Sequence, residues 1–215
     1  MIFDICNWDV KIDSIFGSKI YSIENFYVDP DRVVNKILKQ PSILWKSDEP
    51  NSKNGIEFED RRHGMFNSKV TEIYDKLSEV CGQDPSRSTY GRIITNLTRF
   101  KNSEFNNYTD NYWWPHVDSG YNGIVFLNNN PGDKSGTNLY AHVDQSEKDL
   151  RGKVNEHEDP WRDKSKYELM ITLEPQYNKF YFFDGKLFPH GMNICDDMYF
   201  HDEFRLNQVF FFDDK

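Results

Sequence analysis

One tripeptide occurs twice in this chain. His116-Val-Asp118 lies within WWPHVDSGYNG, and His142-Val-Asp144 within LYAHVDQSEKDL. On a β-strand, the side chains of residues i and i+2 leave the same face. A His-x-Asp on a strand therefore offers one imidazole and one carboxylate to a single metal ion. A second imidazole would complete a face of two histidines and one carboxylate. Non-haem Fe(II) oxygenases use that donor set and leave the other metal positions open. His190, in KLFPHGMNI, is the best source of the second imidazole. Arg205 stands in FRLNQVFFF, where alternation groups Arg205, Asn207, Val209 and Phe211 on one face. An arginine in so apolar a strand is costly to bury unless it meets an anion. Its planar fork is shaped for a carboxylate.

The elements that must position these residues decide between the two tripeptides. Alternation and turn residues predict strands at about 89–100, 113–118, 122–128, 136–142, 167–174, 179–184, 187–193 and 204–212. Four of these lie between His116 and His190, enough sheet to carry the chain around a barrel and back. After His142 comes the charged stretch 143–166, and only two strands precede His190. Asp118 leads through a tight turn into an apolar strand, whereas Asp144 leads into the solvated run QSEKDL. His116, Asp118 and His190 are therefore the expected metal ligands. His142 and Asp144 are expected to be surface polar residues, as are His63 and His157, with His201 in a hairpin before Arg205. Trp113, Trp114 and Trp161 are candidates to stack on a substrate, against the commoner fate of core packing.

Before residue 88 the pattern is helical. Asp29 and Pro30 suit the start of a helix that Pro41 ends. A second helix spans 67–82, with Val70, Ile73, Tyr74, Leu77 and Val80 on one side and Gly82 at its exit. A strand is expected at 19–28, and 45–55 reads as a loop. The stretches 101–112 and 143–166 read as long loops, the second either a lid over the site or solvated. No linker is visible, so 1–215 reads as one domain, with a helical part at about 1–88 and a barrel at about 89–215. Helices followed by many antiparallel strands predict an α+β protein with a β-sandwich or barrel core.

Composition narrows the partners. Aromatic residues make up 16% of the chain, which suits strands with buried faces. The net charge of −9 argues against nucleic acid or an anionic membrane as a general partner, because phosphate recognition needs clustered Lys and Arg. Cys6, Cys81 and Cys195 are odd in number and widely spaced. They read as reduced thiols of a cytoplasmic protein rather than a zinc site. No signal peptide is expected from MIFDICNWDVKID, and no apolar run reaches the ~20 residues of a membrane span. The scarcity of Ala beside abundant Asn, Lys and Ile fits an AT-rich genome.

In their order along the chain, these pieces resemble the Fe(II)/2-oxoglutarate-dependent dioxygenases, most closely the prolyl-hydroxylase-like branch. PHVD supplies the first ligand pair, GIVFLNNN the following strand and SGTNLY the next. ITLEPQYNKFYFFDGKLFPHGM carries the second histidine, and RLNQVFFF the arginine. The N-terminal IENFYVDPDRVVNKIL is also of the kind that precedes this core in related proteins, some of them phage-encoded. The resemblance implies a double-stranded β-helix, a jelly-roll or cupin-like barrel, with the N-terminal helices packed on one sheet. It implies Fe(II) held by His116, Asp118 and His190, with 2-oxoglutarate and O₂ as cosubstrates and ascorbate in support. The distal carboxylate of 2-oxoglutarate would pair with Arg205, helped by Asn207 and Asn138, with Ile124 and Phe126 as walls. Because the carboxylate ligand is present, hydroxylation of a C–H bond is implied rather than halogenation. The substrate implied first is a peptidyl proline or another protein side chain, and a nucleobase of a nucleic acid or a small molecule is the alternative. The interval from His190 to Arg205 is longer than usual in the hydroxylase branch. It matches the nucleic-acid demethylases of the superfamily, whose Arg-x-Asn motif begins like Arg205-Leu-Asn207 but ends in an arginine absent here. A silent metal-binding module is the third possibility.

Overall fold

The computed structural model describes residues 3–48, 58–100, 107–130, 135–144, 161–195 and 203–213. The chain opens with a hairpin of β1 (Val10–Ile15) and β2 (Ser18–Ile23), joined by Phe16 and Gly17. Both linking residues have positive φ, 50° and 79°, as a two-residue hairpin turn that follows the strand twist requires. Helix α1 (Pro30–Leu38) follows, its Asp29 side chain accepting a hydrogen bond from Arg32 N at 2.9 Å. Strands β3 (Lys46–Asp48) and β4 (Phe58–Phe66) pair with each other. Helix α2 (Ser68–Cys81) is capped by the Asn67 side chain and leaves through Gly82 in the left-handed region. After it come β5 (Asp84–Pro85), β6 (Arg92–Phe100), β7 (Asn111–Trp113), β8 (Tyr121–Phe126) and β9 (Thr137–His142). The last strands are β10 (Trp161–Asp163), β11 (Tyr167–Leu173), β12 (Phe180–Asp184), β13 (His190–Met192) and β14 (Arg205–Asp213).

These strands form one large sheet in the order β1-β2-β12-β8-β14-β6-β4-β3, with β5 added beside β14. A smaller sheet has the order β11-β9-β13, and β10 pairs with β7. Every pairing is antiparallel. The chain is mostly β, and its two facing sheets are consistent with a jelly-roll-like fold.

Alternation along the central strands separates two interiors. Phe180, Phe182, Phe210 and Phe212 join buried residues of both helices, including Ile37, Ile73, Tyr74 and Leu77, in one cluster. Phe26 anchors it, stacked on Phe180 at 4.6 Å between centroids. The neighbouring residues Tyr181 and Phe183 turn the other way and meet Ile124, Phe126, Leu139 and Leu173 between the two sheets. The functional residues lie on this second side.

Several expectations are corrected. Strand β1 was not anticipated, because it lies at the sheet edge with its four middle residues exposed, and VKIDSI has no buried apolar face to give alternation. Strand β3 falls inside the expected 45–55 loop. The strand expected at 113–118 ends at Trp113, and that at 187–193 shrinks to three residues. Most of the charged stretch, His157 and His201 lie outside the described residues, and 161–163 forms β10, paired with β7. Among the described residues no helix is long and apolar enough to cross a membrane. None of the three cysteines is in a disulfide.

Candidate metal centre

His116 does not sit on a regular strand. Trp114 precedes a proline and has φ 44°, a strained conformation for a bulky residue. Strand β7 therefore stops, and His116 continues as an isolated antiparallel bridge to His190. His116 N donates to His190 O at 3.0 Å, and His190 N to His116 O at 2.8 Å. The two rings lie 4.4 Å apart, centroid to centroid. Asp118 is tied by its own N–H to Gly185 O at 2.9 Å. The close approach of these segments depends on Gly191, where a Cβ would stand 2.3 Å from Trp113 O and 3.0 Å from Trp114 O.

One ligand-type atom from each of His116, Asp118 and His190 falls within 4.8 Å of the others. Among the described residues this is the one such group of three. Both imidazoles are oriented in the same way. His116 Nδ1 is 2.9 Å from Trp114 O, and His190 Nδ1 is 3.0 Å from Phe188 O. A carbonyl can only accept, so each Nδ1 carries the proton and each Nε2 keeps its lone pair for a metal. His190 Nε2 lies 3.3 Å from Asp118 Oδ2. Burial pushes the Asp118 carboxyl up, but the His190 and His116 rings in their protonated forms, with a hydrogen bond from Asn122, outweigh it and hold the group well below the usual carboxylate range in the metal-free protein. The group is therefore a carboxylate at neutral pH, as a hard donor to a divalent ion must be.

Asn122, the second residue of β8, was not anticipated. It is buried, and its Nδ2 donates to Asp118 Oδ2 while standing 3.0 Å from His190 Nε2. Its amide thus holds two of the three donor groups in place. Asn122→Ala is expected to weaken Mn(II) binding about 10–100-fold, the usual cost of losing such an outer partner. A titration followed by electron paramagnetic resonance checks this, and a change below twofold would show that Asp118 needs no such support.

Arg205 opens β14 and is 4% exposed. Its Nε donates to Ser135 O at 2.9 Å and Nη2 to Thr137 Oγ1 at 3.1 Å. Its guanidinium carbon lies 5.4 Å from the centre of the Phe126 ring. Among the described residues no carboxylate pairs with it. The triad and Arg205 line a single cavity of about 920 Å³. Asn207, Val209 and Phe211 line it too, on the face that alternation predicted, and Ile124 and Asn122 continue the wall from β8.

Other candidates are placed differently. Asn138 faces away from the cavity. Its amide is engaged by Tyr140, Asn193 and Thr172, and its neighbour Thr137 takes the inward position. Phe126 lies beneath Arg205 rather than along the cavity. Trp113 and Trp114 line the cavity, whereas Trp161 packs edge-on against Trp113 at 5.0 Å, behind it. His142 packs against Tyr167 at 5.2 Å and takes no part in the cluster of three; Asp144 is exposed. His63, expected on the surface, instead lines the cavity and packs against Trp45 at 5.5 Å. Burial lowers its pKa.

No family model matches the sequence, and no curated protein matches it. Among solved structures, the chain is similar to a Pseudomonas putida prolyl-4-hydroxylase. The TM-score is 0.45 at 9% sequence identity, covering 91% of this chain and 92% of that one.

Proposed function

We propose that the protein is an Fe(II)- and 2-oxoglutarate-dependent oxygenase built on a double-stranded β-helix, hydroxylating a C–H bond of its substrate. One observation carries the reading. A buried arginine with no acidic partner among the described residues shares a cavity with two oriented imidazoles and a carboxylate. The donor set fits a divalent first-row metal with open positions. The uncompensated guanidinium fits the carboxylate of a second, anionic component, since a buried cation is otherwise costly.

In this reading His116, Asp118 and His190 hold the iron. The Trp114 and Phe188 carbonyls fix the tautomers, and Asn122 fixes the carboxylate. Arg205 receives the far carboxylate of 2-oxoglutarate, with Thr137 and Asn207 beside it. Ile124, Val209 and Phe183 supply apolar wall that keeps water from the reacting centre. When bound, iron with its cosubstrate supplies C–H oxidation, one O₂ oxygen entering the product hydroxyl and the other succinate, with release of CO₂.

The test is conversion of 2-oxoglutarate to succinate by purified protein with Fe(II), ascorbate and O₂. Binding of 2-oxoglutarate to the Mn(II)-loaded protein is followed in parallel, because uncoupled turnover is slow. Iron-dependent succinate formation, abolished by chelation, is the expected result. Absence of both turnover and Mn(II)-dependent binding would remove this reading.

A further inference from the structure

The cavity extends well beyond the triad and Arg205. From β14 it crosses the same face of β6 and β4 and reaches β3, with Arg92, Arg62 and Lys46 along its lining. The chain as a whole is acidic, with 35 Asp and Glu against 26 Lys and Arg. Yet among the described lining residues Lys46, Arg62, Arg92 and Arg205 are basic, and Asp118 alone is acidic. A cleft lined by one sign of charge concentrates ligands of the other sign.

Two details mark this end as built rather than incidental. Lys46 and Arg62 are direct cross-strand partners. The register sets two cationic side chains side by side on the face that lines the cavity, and an anion bridging them would offset their mutual repulsion. Arg92 stands opposite Phe66 in the register, yet its side chain lies along the sheet over Gly64. A Cβ at Gly64 would come within 2.8 Å of Arg92 Cδ. The missing side chain lets Arg92 reach past its own register position towards Arg62.

We propose that Lys46, Arg62 and Arg92 form a substrate subsite for a compact multivalent anion, a phosphate ester or clustered carboxylates, carried by a small molecule. The subsite places that group at the β3 end of the cavity while the rest of the molecule extends towards His116, Asp118 and His190. Guanidinium forks match phosphate and carboxylate oxygens, and the lysine adds a mobile point charge. The cavity volume falls within the roughly 300–1,000 Å³ of small-molecule pockets. What becomes of the substrate rests on the oxygenase reading; the binding of its anionic group does not.

The experiment is calorimetric titration of the full chain, stripped of metal so that chelation plays no part, with pyrophosphate and separately with citrate at low salt. Wild type is expected to bind, and Arg62→Ala/Arg92→Ala to bind at least tenfold more weakly. Lys46→Gln, at an exposed position, should give a partial loss, and Lys11→Gln, far from the cavity, none. Preference for pyrophosphate over citrate assigns a phosphate, and the reverse assigns carboxylates. Failure of both anions to bind would overturn the proposal. So would loss in Arg205→Ala with retention in the double variant, since the anion would then sit at Arg205. Tighter binding of a single-stranded oligonucleotide than of pyrophosphate, lost in the double variant, would overturn the small-molecule assignment. Because neither metal nor 2-oxoglutarate is present, this result and the succinate assay succeed or fail separately.

Discussion

His116→Ala and His190→Ala are each expected to abolish Mn(II) or Fe(II) binding at micromolar concentrations, while His142→Ala binds as wild type does. The loss should exceed the ~10–100-fold expected for an outer partner such as Asn122, because each histidine would itself be one of the three donors that the described residues bring together. The contrast with His142 is the sharper half of the prediction. His142-Val-Asp144 has the same local sequence, but His142 packs on Tyr167 and Asp144 is exposed. Local sequence without convergence gives no site. Titration by calorimetry or electron paramagnetic resonance reads all three variants on one scale. Affinity should also fall on acidification, since the metal competes with protons for both imidazoles and the carboxylate. In the metal-free protein the sign is the same. A carboxylate held below its ordinary range, as Asp118 is, contributes stability at neutral pH that is lost as pH falls through the folded-state value. Equal metal binding by wild type and His116→Ala would remove the triad from consideration.

Arg205→Ala is expected to lower 2-oxoglutarate affinity by about a hundredfold to a few thousandfold in the metal-loaded protein. Removing one partner of a buried ion pair costs on the order of 3–5 kcal/mol, and each 1.4 kcal/mol is roughly a factor of ten. Arg205→Lys keeps the charge but loses the fork and should recover only part of the affinity. Stability supplies an independent reading. Without cosubstrate, Arg205 is a buried cation whose hydrogen bonds go to a carbonyl and a hydroxyl rather than to an acid. Arg205→Met should therefore melt no lower than wild type when cosubstrate is absent. It should also lose the stabilisation that wild type gains on adding 2-oxoglutarate with Mn(II). An arginine serving only to hold β14 against the start of β9 would behave in the opposite way. The substitution would then lower the melting temperature and leave cosubstrate binding intact.

Asn122 and the basic end of the cavity were not legible in the sequence. An asparagine carries no periodic signal, and its importance comes from Asp118 and His190 arriving beside it from different parts of the chain. Strand β4 reads FEDRRHGMF, without apolar alternation, because Arg62 and Gly64 occupy the face that lines the cavity. In TNLYAH both Leu139 and Tyr140 are apolar, so the sequence could not tell which face was inward. The structure turns Thr137 and Leu139 in and Asn138 out.

What the sequence determined by itself is local. Asp29, Pro30, Asn67 and Gly82 set helix ends through their own backbone and side-chain preferences. Alternation in RLNQVFFF set which residues accompany Arg205. The flanks of the two His-Val-Asp copies separated the one followed by the buried strand β8 from the one that takes no part in the cluster of three. The tertiary structure alone decided which residues meet. The bridge between His116 and His190, the Asn122 amide between two donor groups, and the Lys46–Arg62 pairing each join segments distant in the chain. Their contact depends on sheet register and on close approaches at Gly64 and Gly191. Such approaches follow from the packing of the whole chain, and no short stretch of sequence encodes them.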